Sequence, residues 1–154
     1  MNETTAPTAD SPTLRTTTRD FPAKFTALNE AMIALDDQLR GLPERAAFDL
    51  RLACEELFLN IINYAYPSYA AHTKGRIEIV WVDDPVARKT FVTFTDTGIP
   101  FNPLTHPRPK LDTDVFRRRV GGLGIMLIRD RLSDLEYNRI DDKNVFSFTR
   151  NWDE

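Results

Sequence analysis

Apolar residues recur along this chain with two periods, and the change from one period to the other divides it into elements. Between residues 22 and 40, Phe25, Leu28, Met32, Leu35 and Leu39 follow the spacing of one helix face. Pro22 suits a first turn and Gly41 a stop. A second helix opens at Pro43 and closes at Pro67. Stepping about 100° per residue, its Leu50, Cys54, Leu57, Phe58, Ile61 and Ile62 gather on one broad apolar face, with Glu56, Asn60 and Asn63 aligned opposite. Residues 76–82 and 90–96 alternate as strands and should pair as a hairpin across the turn at Asp84 and Pro85. Residues 135–140 and 145–150 alternate again around D-D-K-N, 141–144, which reads as the turn. Residues 13–18, rich in β-branched side chains, suit an edge strand.

Two stretches lack a period. Residues 97–120 hold Pro100, Pro103, Pro107 and Pro109 among basic residues, a loop long enough to serve as a lid. Residues 1–12 are polar and read as a disordered tail. Residues 122–132 turn from glycines directly into an apolar helix. The resulting order, strand, two helices, hairpin, lid, helix, hairpin, predicts an α+β two-layer sandwich. A mixed, mostly antiparallel sheet would be covered on one face by about three helices, in one domain spanning 13–154.

Composition narrows the partners. With 154 residues and 42% hydrophobic content, the chain is large enough for one real core. A net charge of -3 and a sequence pI near 5.4 supply no general attraction to nucleic acid or an anionic membrane. The single cysteine, Cys54, lies on the apolar helix face, which excludes a disulfide scaffold and suits a buried thiol in a reducing cytoplasm. His72 and His106 stand far apart without cysteine partners and form no zinc-type motif. The N-terminal residues lack the apolar core of a signal peptide, and no stretch is long enough to span a bilayer.

Three stretches carry candidate chemistry. Asparagine disfavours helix, so Asn60 and Asn63 beside Glu56 are an unexpected filling for a solvated helix face. Glu56 and Asn60, one turn apart, can reach a common point. An amide oxygen suits Mg²⁺, and a neighbouring carboxylate can orient or deprotonate a hydroxyl. The second stretch is F-T-D-T-G-I-P-F, residues 94–101. There Asp96 could accept from the exocyclic amino group of adenine, and Gly98 would let backbone approach a flat ring. The third is V-G-G-L-G-I, residues 120–125, where Gly122, Leu123 and Gly124 open a helix whose free amides and positive dipole end suit phosphate. Arg117, Arg118 and Arg119 lie just upstream. Taken singly, each has an ordinary counterpart: a wet helix surface, a plain Asp-Gly turn, a flexible hinge beside a solvated basic run.

Order and context join them. E-E-L-F-L-N-I-I-N-Y-A-Y-P, D-T-G-I-P-F-N-P and V-G-G-L-G-I-M-L-I-R resemble the N box and the two glycine boxes of the ATPase superfamily of gyrase, ninety-kilodalton chaperones, histidine kinases and mismatch-repair proteins. They resemble most closely the bacterial anti-sigma factor serine/threonine kinases, over roughly residues 13–150. The resemblance implies ATP and Mg²⁺ as cofactors. Asn60 would hold the metal, with Asn63 beside metal and phosphate, and Glu56 would be the general base. Asp96 and Gly98 would lie at the adenine, and Gly122, Leu123 and Gly124 at the phosphates. It also implies a sigma factor and an anti-anti-sigma protein as partners, a cytoplasmic setting, and a homodimer as relatives commonly form. The alternative is a non-catalytic, nucleotide-binding partner-switching module, against which Glu56 argues, since binding alone needs no base. Neither a G-x-x-x-x-G-K-S/T phosphate loop nor an H-R-D catalytic loop is present.

Overall fold

A computed structural model describes residues 13–67, 74–105 and 129–154. Strand β1 (Arg15–Pro22) leads through a 3-10 turn (Phe25–Ala27) into helix α1 (Leu28–Leu39) and helix α2 (Glu44–Asn60). Pro22 thus ends a strand rather than starting a helix. Its missing N–H costs an edge strand little. At the other end of α1, Gly41 takes φ +84°, the left-handed geometry that stops a helix.

Strands β2 (Arg76–Asp84), β3 (Lys89–Asp96), β4 (Ser133–Ile140) and β5 (Lys143–Asn151) complete a five-stranded sheet of order β1-β2-β3-β5-β4. The architecture is the expected α+β one, but every strand pairing is antiparallel. Leu50, Leu57 and Phe58 of α2 share one buried core with Met32, Leu35 and Leu39 of α1 and with Ile77, Trp81, Val92, Phe94, Phe146 and Phe148 of the sheet. Phe58 meets Phe21 edge-on at 6.1 Å. Cys54 is fully buried, and desolvation lifts its thiol above its ordinary range. Among the described residues no helix is long and apolar enough to cross a membrane.

The helix-facing positions of β3 and β5 are apolar in the middle and polar at both ends. Along β3 they are Thr90, Val92, Phe94 and Asp96, and opposite them in register on β5 stand Arg150, Phe148, Phe146 and Asn144. At the Thr90 end, Asp83 accepts from Thr90 Oγ1 at 2.7 Å, Trp81 Nε1 at 2.9 Å and Arg15 Nη2 at 2.7 Å. Nearby, Asp49 of α2 receives Arg131 Nη1 at 2.7 Å on one oxygen and Arg150 Nη2 at 3.0 Å on the other. Asp49 and Arg150 are both fully buried. This pair ties the central helix to the last strand and to residue 131. A buried ion pair adds little net stability over apolar packing, but removing one partner strands the other charge. Asp49→Ala should therefore lower stability by about 3–5 kcal/mol. In urea unfolding that is a lower midpoint at unchanged slope, and a loss under 1 kcal/mol would contradict the burial of an ionised Arg150.

Candidate nucleotide site

The central helix does not end as a regular α-helix. After Asn60 the chain widens into one π turn, Ile61–Ala65, and Tyr66 leaves helical geometry at φ -129° and ψ 69°. A π turn shifts the phase of every later side chain, and such turns often sit at functional sites. Asn60, the last residue before that turn, is not on a wet stripe as the regular helical repeat implied. It is 6% exposed, and its Oδ1 is the buried side-chain oxygen left without a hydrogen-bond partner among the described residues. A buried acceptor without a donor costs free energy, so its retention calls for a ligand. Glu56, one turn earlier, and Asn63, in the π turn, are half-buried.

The last carbonyl of the π turn, Ala65 O, accepts from Ile99 N at 2.9 Å and so docks the loop after β3 onto the helix end. Gly98 is required by that contact. A Cβ there would stand 2.4 Å from Ala65 O and 2.7 Å from Ala65 Cβ, so the close approach seen is to the helix rather than to a ring. The Tyr66 hydroxyl, itself donating to Arg76 O at 3.1 Å, accepts from Thr97 N at 2.9 Å. Phe101 stacks on Tyr64 with centroids 5.4 Å apart. Residues 97–101 are pinned, at the start of the stretch read as a lid.

Asp96 closes β3 and is 2% exposed. Burial pushes its carboxyl above the ordinary range, while hydrogen bonds from Asn144 and the Gly98 amide and the charge of Arg139 pull it back. Both hydrogen bonds fall on Oδ1, at 2.9 Å from Gly98 N and 2.9 Å from Asn144 Nδ2. Oδ2 accepts none among the described residues. It is an acceptor held ready for a donor such as an exocyclic amino group. Beside the loop opens a cleft of about 440 Å³, lined among others by Ala65, Tyr66, Lys74, Gly98, Pro100 and Arg139.

The contacts that join the central helix to the loop after β3 are made by Tyr64, Ala65 and Tyr66 at the helix end, whereas Glu56, Asn60 and Asn63 stand before them in the chain, on α2 and in the π turn. Gly122, Leu123, Gly124, the triple arginine and both histidines lie outside the described residues. Asn144, assigned above to a turn, is a residue of β5. The turn is Asp141 and Asp142 alone, both with positive φ (49° and 59°), a two-residue hairpin turn of the I′ kind. Tyr66, within the first quoted motif but given no role there, and Arg139, outside every motif, also line the cleft, and the strand alternation of Phe146 and Phe148 carried back one step points Asn144 inward.

A family model described as the histidine kinase-like ATPase domain matches residues 21–150. The chain belongs to that family. No curated protein matches the chain. An ATPase domain of this superfamily binds ATP, and among the described residues the amide oxygen of Asn60 has no hydrogen-bond partner, while the Asp96 carboxylate is bonded through Oδ1 alone.

The raised carboxyl of Asp96 gives the ATPase domain a testable linkage. A folded-state pKa above the unfolded value means that the protonated acid contributes stability, present below the ordinary range and lost as pH rises through the folded pKa. At neutral pH the ionised carboxylate is a burden on the fold. Asp96→Asn, neutral throughout and still able to accept on Oδ1, should raise Tm by a few degrees at pH 7 while weakening ATP binding. The gain should fade as pH falls through the folded pKa, and a gap that stays constant with pH would refute the sign.

Proposed function

We propose that this domain is an ATP-dependent anti-sigma factor that binds a sigma factor and phosphorylates an anti-anti-sigma protein on serine or threonine. The observation that carries the reading is the buried, unpartnered Oδ1 of Asn60 one helical turn after Glu56. It is supported by the family, and by the resemblance of E-E-L-F-L-N-I-I-N-Y-A-Y-P and D-T-G-I-P-F-N-P to the anti-sigma kinases. A neutral amide oxygen that has lost its water and found no donor fits a hard cation such as Mg²⁺. Asn60 would hold that ion, with Asn63 beside it, and the ion when bound offsets charge on the phosphates.

The rest of the work falls to side chains of this chain. Asp96 Oδ2 accepts from the base and sets the depth of the nucleotide, and the docked loop at Gly98 holds that carboxylate still. Gly122, Leu123 and Gly124 are assigned to the phosphates. Glu56 takes the proton of the attacking hydroxyl as its oxygen bonds to the γ-phosphorus. The bond from that phosphorus to the bridging oxygen breaks, and ADP leaves. Partner choice would follow the nucleotide state, since a lid ordered by ATP offers a different surface from one ordered by ADP.

Labelled phosphate should pass from γ-labelled ATP to an anti-anti-sigma protein of the same genome as an acid-stable phosphoester. Glu56→Gln should cut that transfer by about 10²–10⁴-fold with ATP affinity little changed. Retention of full transfer would remove Glu56 from the role of base, whereas absence of transfer in the wild type alongside tight ATP binding would favour the non-catalytic switch. In calorimetric titrations Asn60→Ala should abolish the Mg²⁺-dependent part of ATP binding. Equal binding with and without the metal in the wild type would remove Asn60 from the metal.

A further inference from the structure

The amide of Asn144 makes five hydrogen bonds at this end of the sheet. It is 3% exposed and stands opposite Asp96 in register. Its Oδ1 accepts from Tyr137 Oη at 2.6 Å, Phe101 N at 3.1 Å and Arg139 Nη1 at 3.2 Å. Its Nδ2 donates to Ile99 O at 2.7 Å and to Asp96 Oδ1 at 2.9 Å. Three donors on the oxygen and two acceptors on the nitrogen leave the amide one orientation, because a flip would set N–H against N–H and oxygen against oxygen. Arg139 also donates to Gly98 O at 2.8 Å, so the loop is held from both sides of the carboxylate.

The consequence lies in what Asp96 can offer. With Oδ1 taken by Gly98 N and by Asn144, the loop presents Oδ2 as an acceptor whose rotation about the side-chain torsion is blocked. An acceptor fixed in that way matches the amino group at position 6 of a purine and opposes a carbonyl there, since two facing acceptors leave a buried group unpaired.

We infer that Asn144 is a positioning residue that sets purine selectivity, admitting 6-amino and rejecting 6-oxo bases by locking the Asp96 carboxylate from the neighbouring strand. The inference rests on Asp96 being the group that meets the base.

The probes are ATP and ITP, in which the 6-amino group gives way to a 6-oxo group and N1 gains a hydrogen, titrated into the folded full chain. The wild type should prefer ATP by about 10–100-fold, the worth of one buried mismatch. Asn144→Ala should weaken ATP binding while leaving ITP nearly unchanged, bringing the ratio to within a few-fold of unity. A general loosening would instead weaken both nucleotides alike, and an unchanged ratio in Asn144→Ala overturns the inference. Asp96→Ala, run in parallel, separates the two readings. If it leaves the ratio intact, Asp96 does not read the base. If it collapses the ratio and Asn144→Ala does not, Asp96 reads the base without the lock. Should Asn144→Ala fail to fold, Tyr137→Phe, which removes the shortest bond to Asn144 Oδ1 and nothing bulky, should lower the ratio in the same direction. No change there counts against the lock.

Discussion

A carboxylate buried at the end of a strand needs donors, and the hydrogen bond from Asn144 to Asp96 is where this fold meets that need. It crosses from β5 to β3 between two residues in register, so it exists only when the sheet has its native pairing. From it follow the position of the loop after β3, the contact of Gly98 with the last turn of the central helix, and the accessible oxygen of Asp96. Taking a carboxylate out of water is costly, and the two hydrogen bonds on Oδ1 offset only part of the cost, as the raised carboxyl records. The remainder is a local instability retained at a place where a ligand would relieve it.

The opposite end of the same two strands solves the same problem differently. There Asp49 and Arg150 are buried as a pair, Arg131 adds a second cation, and Asp83 is satisfied by Thr90, Trp81 and Arg15. Among the described residues, every buried side-chain polar atom at that end has a hydrogen-bond or ion-pair partner. Between the two ends lies an ordinary apolar layer. The two strands thus carry a polar end tied to the central helix by an ion pair and, at the other end, a polar end whose carboxylate is bonded through one oxygen among the described residues.

The central helix reaches that second end by a change of winding. Had the α-helix continued past Asn60, Ala65 O would have been placed by the regular repeat. The π turn moves it to where it accepts Ile99 N, and the same turn coincides with Asn60 being buried with its oxygen unpaired. Helix, loop and strand are therefore coupled through a few atoms. A substitution at Gly98 would be felt at Asp96 and along the helix end at once, because the Ala65 backbone cannot yield as a flexible side chain could.

Sequence alone determined the class of the fold and the residue types at the site. The periods of 3.6 and 2 located both described helices and four of the five strands, since burial of one face is written locally in which positions are apolar, and β-branched composition pointed to the first strand. The three boxes, in order, pointed to the nucleotide-binding family. Asp96 drew attention through the order of the three boxes, since an Asp-Gly pair after a strand is by itself an ordinary turn, and Glu56 and Asn60 did so because asparagine is a poor choice for a helix. Tertiary structure alone decided the register of β3 on β5, which turned Asn144 from a turn residue into the partner of Asp96. It also decided the π turn, the burial of Asn60 just before it, and the pairing of Asp49 with Arg150, a hundred residues apart in the chain. These depend on which distant groups meet, and a pattern of local spacing carries no information about that: a hydrogen bond between strands is chosen by the packing of the whole layer.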